Sequence, residues 1–313
     1  FNIKNSIYFR AGKQVVQWGR CELWNPTDLI NAEKHSFQRK IGCREGTDGL
    51  KMHIPIGSLG NIYGFADTRR ASKVSDIAGV IKCEVVIDKT EIAFSSWGKK
   101  NCKPVFGLDY SFKILGLRIS GETAASKGRN VKSVEICENK IQENNRERSS
   151  VWSSINVGRG FDWSGQSNRL RISAEYFYNG SGYKKNILND TAVYDYDIPQ
   201  NVRMGDSTIT VTRGTISDYL LSSELFEPNY FSRHYAALFV AINKFFIPEL
   251  TLTMNCISNI SQKSFILSPG LTYSDIHGFE MGFDCEIHAG KARTEYTIDN
   301  NRAILMLRAG ITF

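Results

Sequence analysis

Apolar and polar residues alternate with a period of two over long stretches of this chain. In residues 278–288, Phe279, Met281, Phe283, Cys285 and Ile287 share one face, while Glu280, Gly282, Asp284 and Glu286 share the other. Residues 249–258 set Leu250, Leu252, Met254 and Cys256 against Glu249, Thr251, Thr253 and Asn255. The same pattern recurs in 264–274, 168–179 and 103–113, where Phe106, Leu108, Tyr110 and Phe112 oppose Gly107, Asp109, Ser111 and Lys113. Alternation sustained over about ten residues predicts long strands with two unlike faces. Helical periodicity is nearly absent. The best exception is 25–34, where Asn25 or Thr27 would cap a short helix with Pro26 near its first turn.

Two architectures compete for such strands. A soluble sandwich uses strands of roughly 5–6 residues, whereas a membrane barrel uses about 9–11. The runs here fit the second. The predicted strands are 4–15, 49–56, 59–66, 76–86, 91–98, 103–113, 116–124, 150–160, 168–179, 233–246, 249–258, 263–274, 278–289 and 302–313. Connections between them alternate in length, and placing the C-terminus in the periplasm puts every long connection outside. The expected fold is all-β: a transmembrane antiparallel up-and-down barrel of about 14 strands, with both termini periplasmic. Residues 1–313 form one domain, with 16–48, 123–149, 180–232 and 290–301 as long external or inserted loops.

Composition fits this reading and excludes others. The 313 residues carry a formal net charge of +7, and aromatic residues make up 12% of the chain, too many for a disordered segment. No run approaches the ~20 apolar residues of a spanning helix. Mean hydropathy is slightly below zero, as expected for a lipid-facing stripe averaged with a polar lumen. The chain opens on Phe1, which implies either a removed leader or a fragment. Cys21, Cys43, Cys83, Cys102, Cys137, Cys256 and Cys285 include no CxxC pair. They read as isolated small apolar residues with room for one loop disulfide, and no metal or cofactor is expected.

Two segments resemble known families. Residues 303–313 end on Phe313, with Ile311, Ala309, Leu307 and Leu305 on the same face. This resembles the signal that outer-membrane barrels present to the barrel-assembly machinery. Gly12, Lys13, Gln14, Trp18 and Gly19, followed by Asn25, Pro26, Asp28 and Asn31, resemble the "GRQ…WG…NPxDxxN" segment of porin-like outer-membrane barrels of unknown function. Alginate-export porins carry a looser version. Lys13 stands where Arg is commoner. The resemblance implies a diffusion or export channel in the outer membrane of a diderm bacterium, and implies further strands ahead of the motif.

The polar faces would line the lumen. They carry Arg10, Lys51, Lys82, Lys113, Arg118, Arg169, Arg171 and Arg308 against Glu84, Asp109, Glu122, Glu175, Glu280, Asp284 and Glu286. This near balance argues against a uniformly anion-selective wall. Arg118, Arg169 and Arg171 with Glu122 and Glu175 form the best selectivity candidate, and Glu280, Asp284 and Glu286 lie beside Arg308. Cross-linking of these charges inside the barrel is the competing role. Asp195–Asp197 and 220–231 in the longest loop are candidates for a constriction or cap.

The basic loop residues Arg69, Arg70, Lys73, Lys99 and Lys100 suit an anionic surface glycolipid above the lipid bilayer. They show no interleaved aromatic pattern for nucleic acid. Ser232 and His234 form the closest Ser/His pair but have no acid partner or nucleophile elbow, so no enzyme is expected. The chain reads as a porin-like channel for passive passage of small polar or charged solutes. The alternatives are a plugged barrel acting as adhesin or scaffold, and a hydrophobic-solute transporter of the fatty-acid type.

Overall fold

The computed structural model describes residues 1–3, 6–16, 18–28, 30, 46–69, 71–127, 132–144, 149–163, 166–204, 207–275, 277–298 and 302–311. Its strands begin with β1 (Asn2–Ile3), β2 (Ile7–Gln14), β3 (Thr47–Ile56), β4 (Gly60–Asp67), β5 (Ala78–Ile87), β6 (Thr90–Gly98), β7 (Val105–Ile114) and β8 (Leu117–Lys127). There follow β9 (Ser133–Cys137), β10 (Lys140–Asn144), β11 (Ser149–Trp163), β12 (Gln166–Asn179), β13 (Tyr194–Met204) and β14 (Ser207–Gly214). After helix α1 (Ile216–Ser222) come β15 (His234–Ile242), β16 (Leu250–Asn259), β17 (Ser264–Ser274), β18 (Phe279–Gly290) and β19 (Ala303–Ile311).

One 15-stranded sheet contains all of these strands except β9, β10, β13 and β14. Its order follows the sequence and its neighbours are antiparallel, which is an up-and-down arrangement. The sheet begins at β1 and finishes at β19. The predicted first strand, 4–15, opens instead as a small hairpin in which Asn2 pairs with Tyr8 and Ile3 with Ile7. Apart from the two-residue β1, the sheet matches the predicted strands one for one.

The two faces are inverted relative to a water-soluble domain. Ile81, Phe94, Phe106, Met254, Phe283 and Leu307 are exposed, whereas Lys82, Ser95, Asp109, Glu122, Glu175, Asn255 and Asp284 are buried. A continuous apolar outer belt is stable against hydrocarbon and costly against water. On β19 the exposed positions include Leu305, Leu307 and Ile311, the predicted lipid face. Phe313 lies outside the described residues.

The long connections carry structure that periodicity does not reveal. β9, β10, β13 and β14 form a second, four-stranded sheet, in which β10 and β13 run parallel through Lys140–Asp195 and Ile141–Tyr196. Thr215 caps α1 by accepting the Asp218 N–H, and the Asp218 carboxylate accepts the Thr215 N–H in return. Val134, Ile141, Leu188, Tyr196, Ile216, Tyr219, Leu220 and Phe231 make the core of this unit. The connections 123–149 and 180–232 are thus partners in one folded unit. β9 and β10 are five residues each, and the pairing of β13 with β14 shifts register between Asp195 and Gln200, so neither segment carries a sustained alternation through its pairing.

Candidate functional site

The described residues of 15–30, the start of the β2–β3 connection, lie against the polar face of the main sheet. The Arg20 N–H donates to Glu122 on β8, while its guanidinium reaches Glu84, Glu91 and Asp109 on β5, β6 and β7. Contacts to Glu175 and Phe177 on β12 and to Tyr235 on β15 continue the line. One short segment touches so many successive strands, spaced ~4.8 Å apart, because the sheet curls around it.

Two carboxylates hold the main chain of this segment. Glu122 Oε1 accepts the N–H groups of Arg20 at 2.5 Å and Cys21 at 2.9 Å. Its Oε2 accepts the Thr27 N–H at 3.1 Å and the Thr27 hydroxyl at 2.7 Å. Glu175 accepts the N–H groups of Glu22 at 2.8 Å, Leu23 at 3.1 Å and Trp24 at 2.6 Å, together with Asn156 Nδ2–H at 3.2 Å. Inside the sheet these loop amides have no strand partner. The carboxylates satisfy them, and the amides in turn stabilise buried negative charge. Burial also pushes the Cys21 thiol well above its usual range, with Glu122 and Glu175 adding to that effect, so it remains protonated.

The side chains add an ion network and two apolar anchors. Arg20 Nη2 lies 2.7 Å from Glu84, and Lys82 Nζ lies 2.8 Å from both Asp109 and the Trp18 carbonyl. Val16, Trp18 and Ile30 pack on Phe65 and Val80. Leu23 and Trp24 pack on Phe177, Tyr235 and Phe239, with Trp24 stacked 5.5 Å from Phe177. Two glycines make room: a Cβ on Gly19 would lie 2.0 Å from Asn25 Oδ1, and one on Gly107 would lie 2.9 Å from Thr27 Cγ2.

The family-like motif therefore has a physical reading. Gly12 sits at φ +107, a left-handed value that favours glycine. Gln14 Nε2–H donates to the Arg10 and Gly49 carbonyls, at 3.1 and 3.3 Å. Lys13 is paired in register with Asp48. Trp18 and Gly19 seat the segment, and Asn25 and Pro26 turn it, the Asp28 N–H donating to the Asn25 carbonyl at 3.0 Å. Of the helix expected over 25–34, residues 25–28 form this turn, with the Thr27 N–H and hydroxyl donating to Glu122, while 29 and 31–34 lie outside the described residues. Asn31 lies outside the described residues.

The predicted charge cluster separates. Glu122 and Glu175 serve the inserted segment, not the arginines. Arg118 and Arg171 lie four residues along their strands toward the short turns, about 13 Å away, and both are exposed. Arg169 donates to the Lys244 carbonyl at 3.2 Å. In the acidic ladder, Arg308 pairs with Asp284, Glu286 is buried 3.6 Å from His288, and Glu280 is partly exposed.

Other sequence readings change as well. Ser232 and His234 do not address each other: Ser232 Oγ accepts Asn259 Nδ2–H, and His234 Nδ1 meets the Tyr176 hydroxyl at 2.7 Å. The six described cysteines are unpaired, so the loop disulfide is not formed among them, and Cys43 lies outside the described residues. Glu91 opens the predicted strand 91–98 on the face of Ala93 and Ser95, although it is absent from the predicted lumen set, whereas Arg20 carries no periodic signal. Arg20 belongs to a non-repeating connection, and its one marker is its place directly after Trp18-Gly19.

No family model matches the sequence, and no curated protein does. Among solved structures the chain is similar to Acinetobacter baumannii OccAB1, with a TM-score of 0.52 and 10% identity over 98% of this chain and 75% of that one. It is also similar to Pseudomonas aeruginosa OprD, at a TM-score of 0.47 and 7% identity over 88% and 73% of the two chains. At such identities the likeness to OccAB1 is one of architecture, and that architecture is a porin-like outer-membrane β-barrel fold.

Proposed function

We propose that this chain is a porin-like channel in the outer membrane of a diderm bacterium, passing small polar or charged solutes by diffusion along the polar face of the sheet. The observation that carries the reading is the inversion of faces, with apolar side chains exposed outside and charged ones enclosed. An enclosed polar wall crossing a bilayer is a water-filled path wherever side chains leave it open. The segment 15–30 narrows that path. Its Arg20 network offers both signs of charge to a passing solute, and the exposed Arg118 and Arg171 line the approach from the short-turn side. The basic outer loops suit contact with anionic surface glycolipid.

Single-channel recording from folded protein in planar bilayers tests the proposal. Open-channel current is expected, and its absence from inserted protein would overturn the channel reading. A plugged barrel acting as scaffold is the second reading, favoured by the seven main-chain and side-chain bonds from residues 20–27 to Glu122 and Glu175. Current that appears only after Glu122→Gln and Glu175→Gln are combined would select it.

A further inference from the structure

At the long-loop end, three connections meet on one residue. Asn229, between β12 and β15, has a left-handed backbone, φ 67. Its carbonyl accepts Trp24 Nε1–H at 3.0 Å, its Oδ1 accepts the Tyr296 hydroxyl at 2.7 Å, and its N–H donates to Glu295. Glu295 and Tyr296 belong to the β18–β19 connection. The Glu295 carboxylate also accepts the Tyr235 hydroxyl at 2.7 Å and Asn259 Nδ2–H at 2.5 Å, from the outer ends of β15 and β16. Its N–H donates to Gln262 Oε1 at 2.7 Å in the β16–β17 turn.

This carboxylate is almost fully enclosed, 3% exposed, and its three donors are all neutral. A charge removed from water and met only by neutral donors is stabilised less than the same charge in solvent. Burial accordingly pushes the Glu295 carboxyl up to about 7, against the opposing pull of those hydrogen bonds.

We propose that Glu295 is a proton-operated latch: taking up a proton favours docking of 291–298 and of Asn229 onto Trp24, and losing it loosens that junction. The sign follows from linkage. The docked carboxyl holds its proton more tightly than a solvated one, so docking is strongest in acid and weakens as pH rises through about 7. Among the described residues, the other titratable groups around the junction include Tyr235 on β15, Cys256 on β16, Tyr296 on the same loop, Tyr230 and Glu227 on the β12–β15 connection, Glu286 and His288 on β18, and Glu175, Glu122 and Asp28 on the Trp24 side. Burial pushes Tyr230 and Tyr296 upward, so both stay neutral across this range. His288 Nδ1 lies 2.9 Å from the Tyr296 carbonyl and is the group to separate from Glu295.

The effect on current rests on the channel reading, but the latch itself does not. Hydrogen exchange of the full chain in lipid vesicles, corrected for intrinsic rates, reads the junction directly. Between about pH 6 and about pH 8, protection of 225–233 and 291–298 should fall about tenfold in the parent protein. Glu295→Gln, a neutral isostere, should stay protected at both, and His288→Gln should follow the parent. A pH response retained in Glu295→Gln, or absent from the parent, overturns the latch. Should Glu295→Gln fail to fold, Tyr235→Phe removes one donor to the carboxylate and must move the transition to higher pH; an unmoved transition overturns the proposal equally. Bilayer recordings alongside keep the two readings apart. A pH-dependent junction without current at any pH fails the channel and leaves the latch, while current with pH-independent protection fails the latch alone.

Discussion

Trp24 donates its backbone N–H to Glu175 Oε1 at 2.6 Å across 151 positions of sequence. Glu22 and Leu23 donate theirs to the same carboxylate. One side chain on β12 thereby fixes the path of a connection that leaves β2, through contacts that need backbone amides and no particular side chains.

Removing that carboxylate should free the segment. A hydrogen bond to a charged group contributes about 1.5–3 kcal/mol, and Glu175 accepts several. Glu175→Ala is expected to raise single-channel conductance and open-channel noise. Glu175→Gln should do so less, because one carbonyl oxygen remains to accept. Unchanged conductance in Glu175→Ala would show that residues 15–30 do not narrow the path.

Arg20 balances three carboxylates, Glu84, Glu91 and Asp109. In Arg20→Gln, Lys82 still pairs with that group through Asp109, and among the described residues Glu84 and Glu91 lose their cation. Net negative charge at the narrow part of a path favours cations. The reversal potential in a salt gradient should shift toward cation selectivity, and a shift toward anions would remove the network from the conducting path.

Arg171 and Arg169 should differ despite their proximity in sequence. Arg171 is exposed on the polar face, whereas Arg169 reaches the Lys244 carbonyl at a turn. Arg171→Glu should move the reversal potential more than Arg169→Glu. Equal shifts would place both in the ion path.

Leu307 is 81% exposed on the outer face of β19. An arginine at the middle of a lipid-facing belt costs about 2–4 kcal/mol. Leu307→Arg should lower the yield of folded, heat-modifiable protein on gels of vesicle-inserted samples. Arg308→Leu, on the other face, removes the partner of Asp284 and should alter selectivity with less effect on insertion. Normal folding of Leu307→Arg would mean that this face does not meet lipid.

The strands were legible because each repeats one binary choice, lipid or lumen, along its whole length. Phe279 to Ile287 on β18 shows it plainly, as do Phe106 and Leu108 against Gly107 and Asp109 on β7. The motif from Gly12 to Asn25 marked the right segment, but its role as a wall contact depends on residues far along the chain, from Lys82 against the Trp18 carbonyl, 64 positions away, to Glu175 against the Trp24 N–H, 151 positions away. Glu122 and Glu175 look alike in sequence to any lumen carboxylate, and nothing near them indicates that they take backbone amides instead of Arg118 and Arg171.

Sequence by itself determined the strand lengths, their two faces and the alternation of short and long connections. Those follow from local chemistry: the period of the pleat and the exclusion of polar groups from lipid. Only the tertiary structure decided what fills the polar side. Curving the sheet around the described residues of 15–30 brings Arg20 to Glu84, Glu91 and Asp109. Folding the long connections onto one another joins Asn229 to Trp24 and Glu295. These are pairings of non-repeating residues across the sheet, and curvature, not periodicity, selects them.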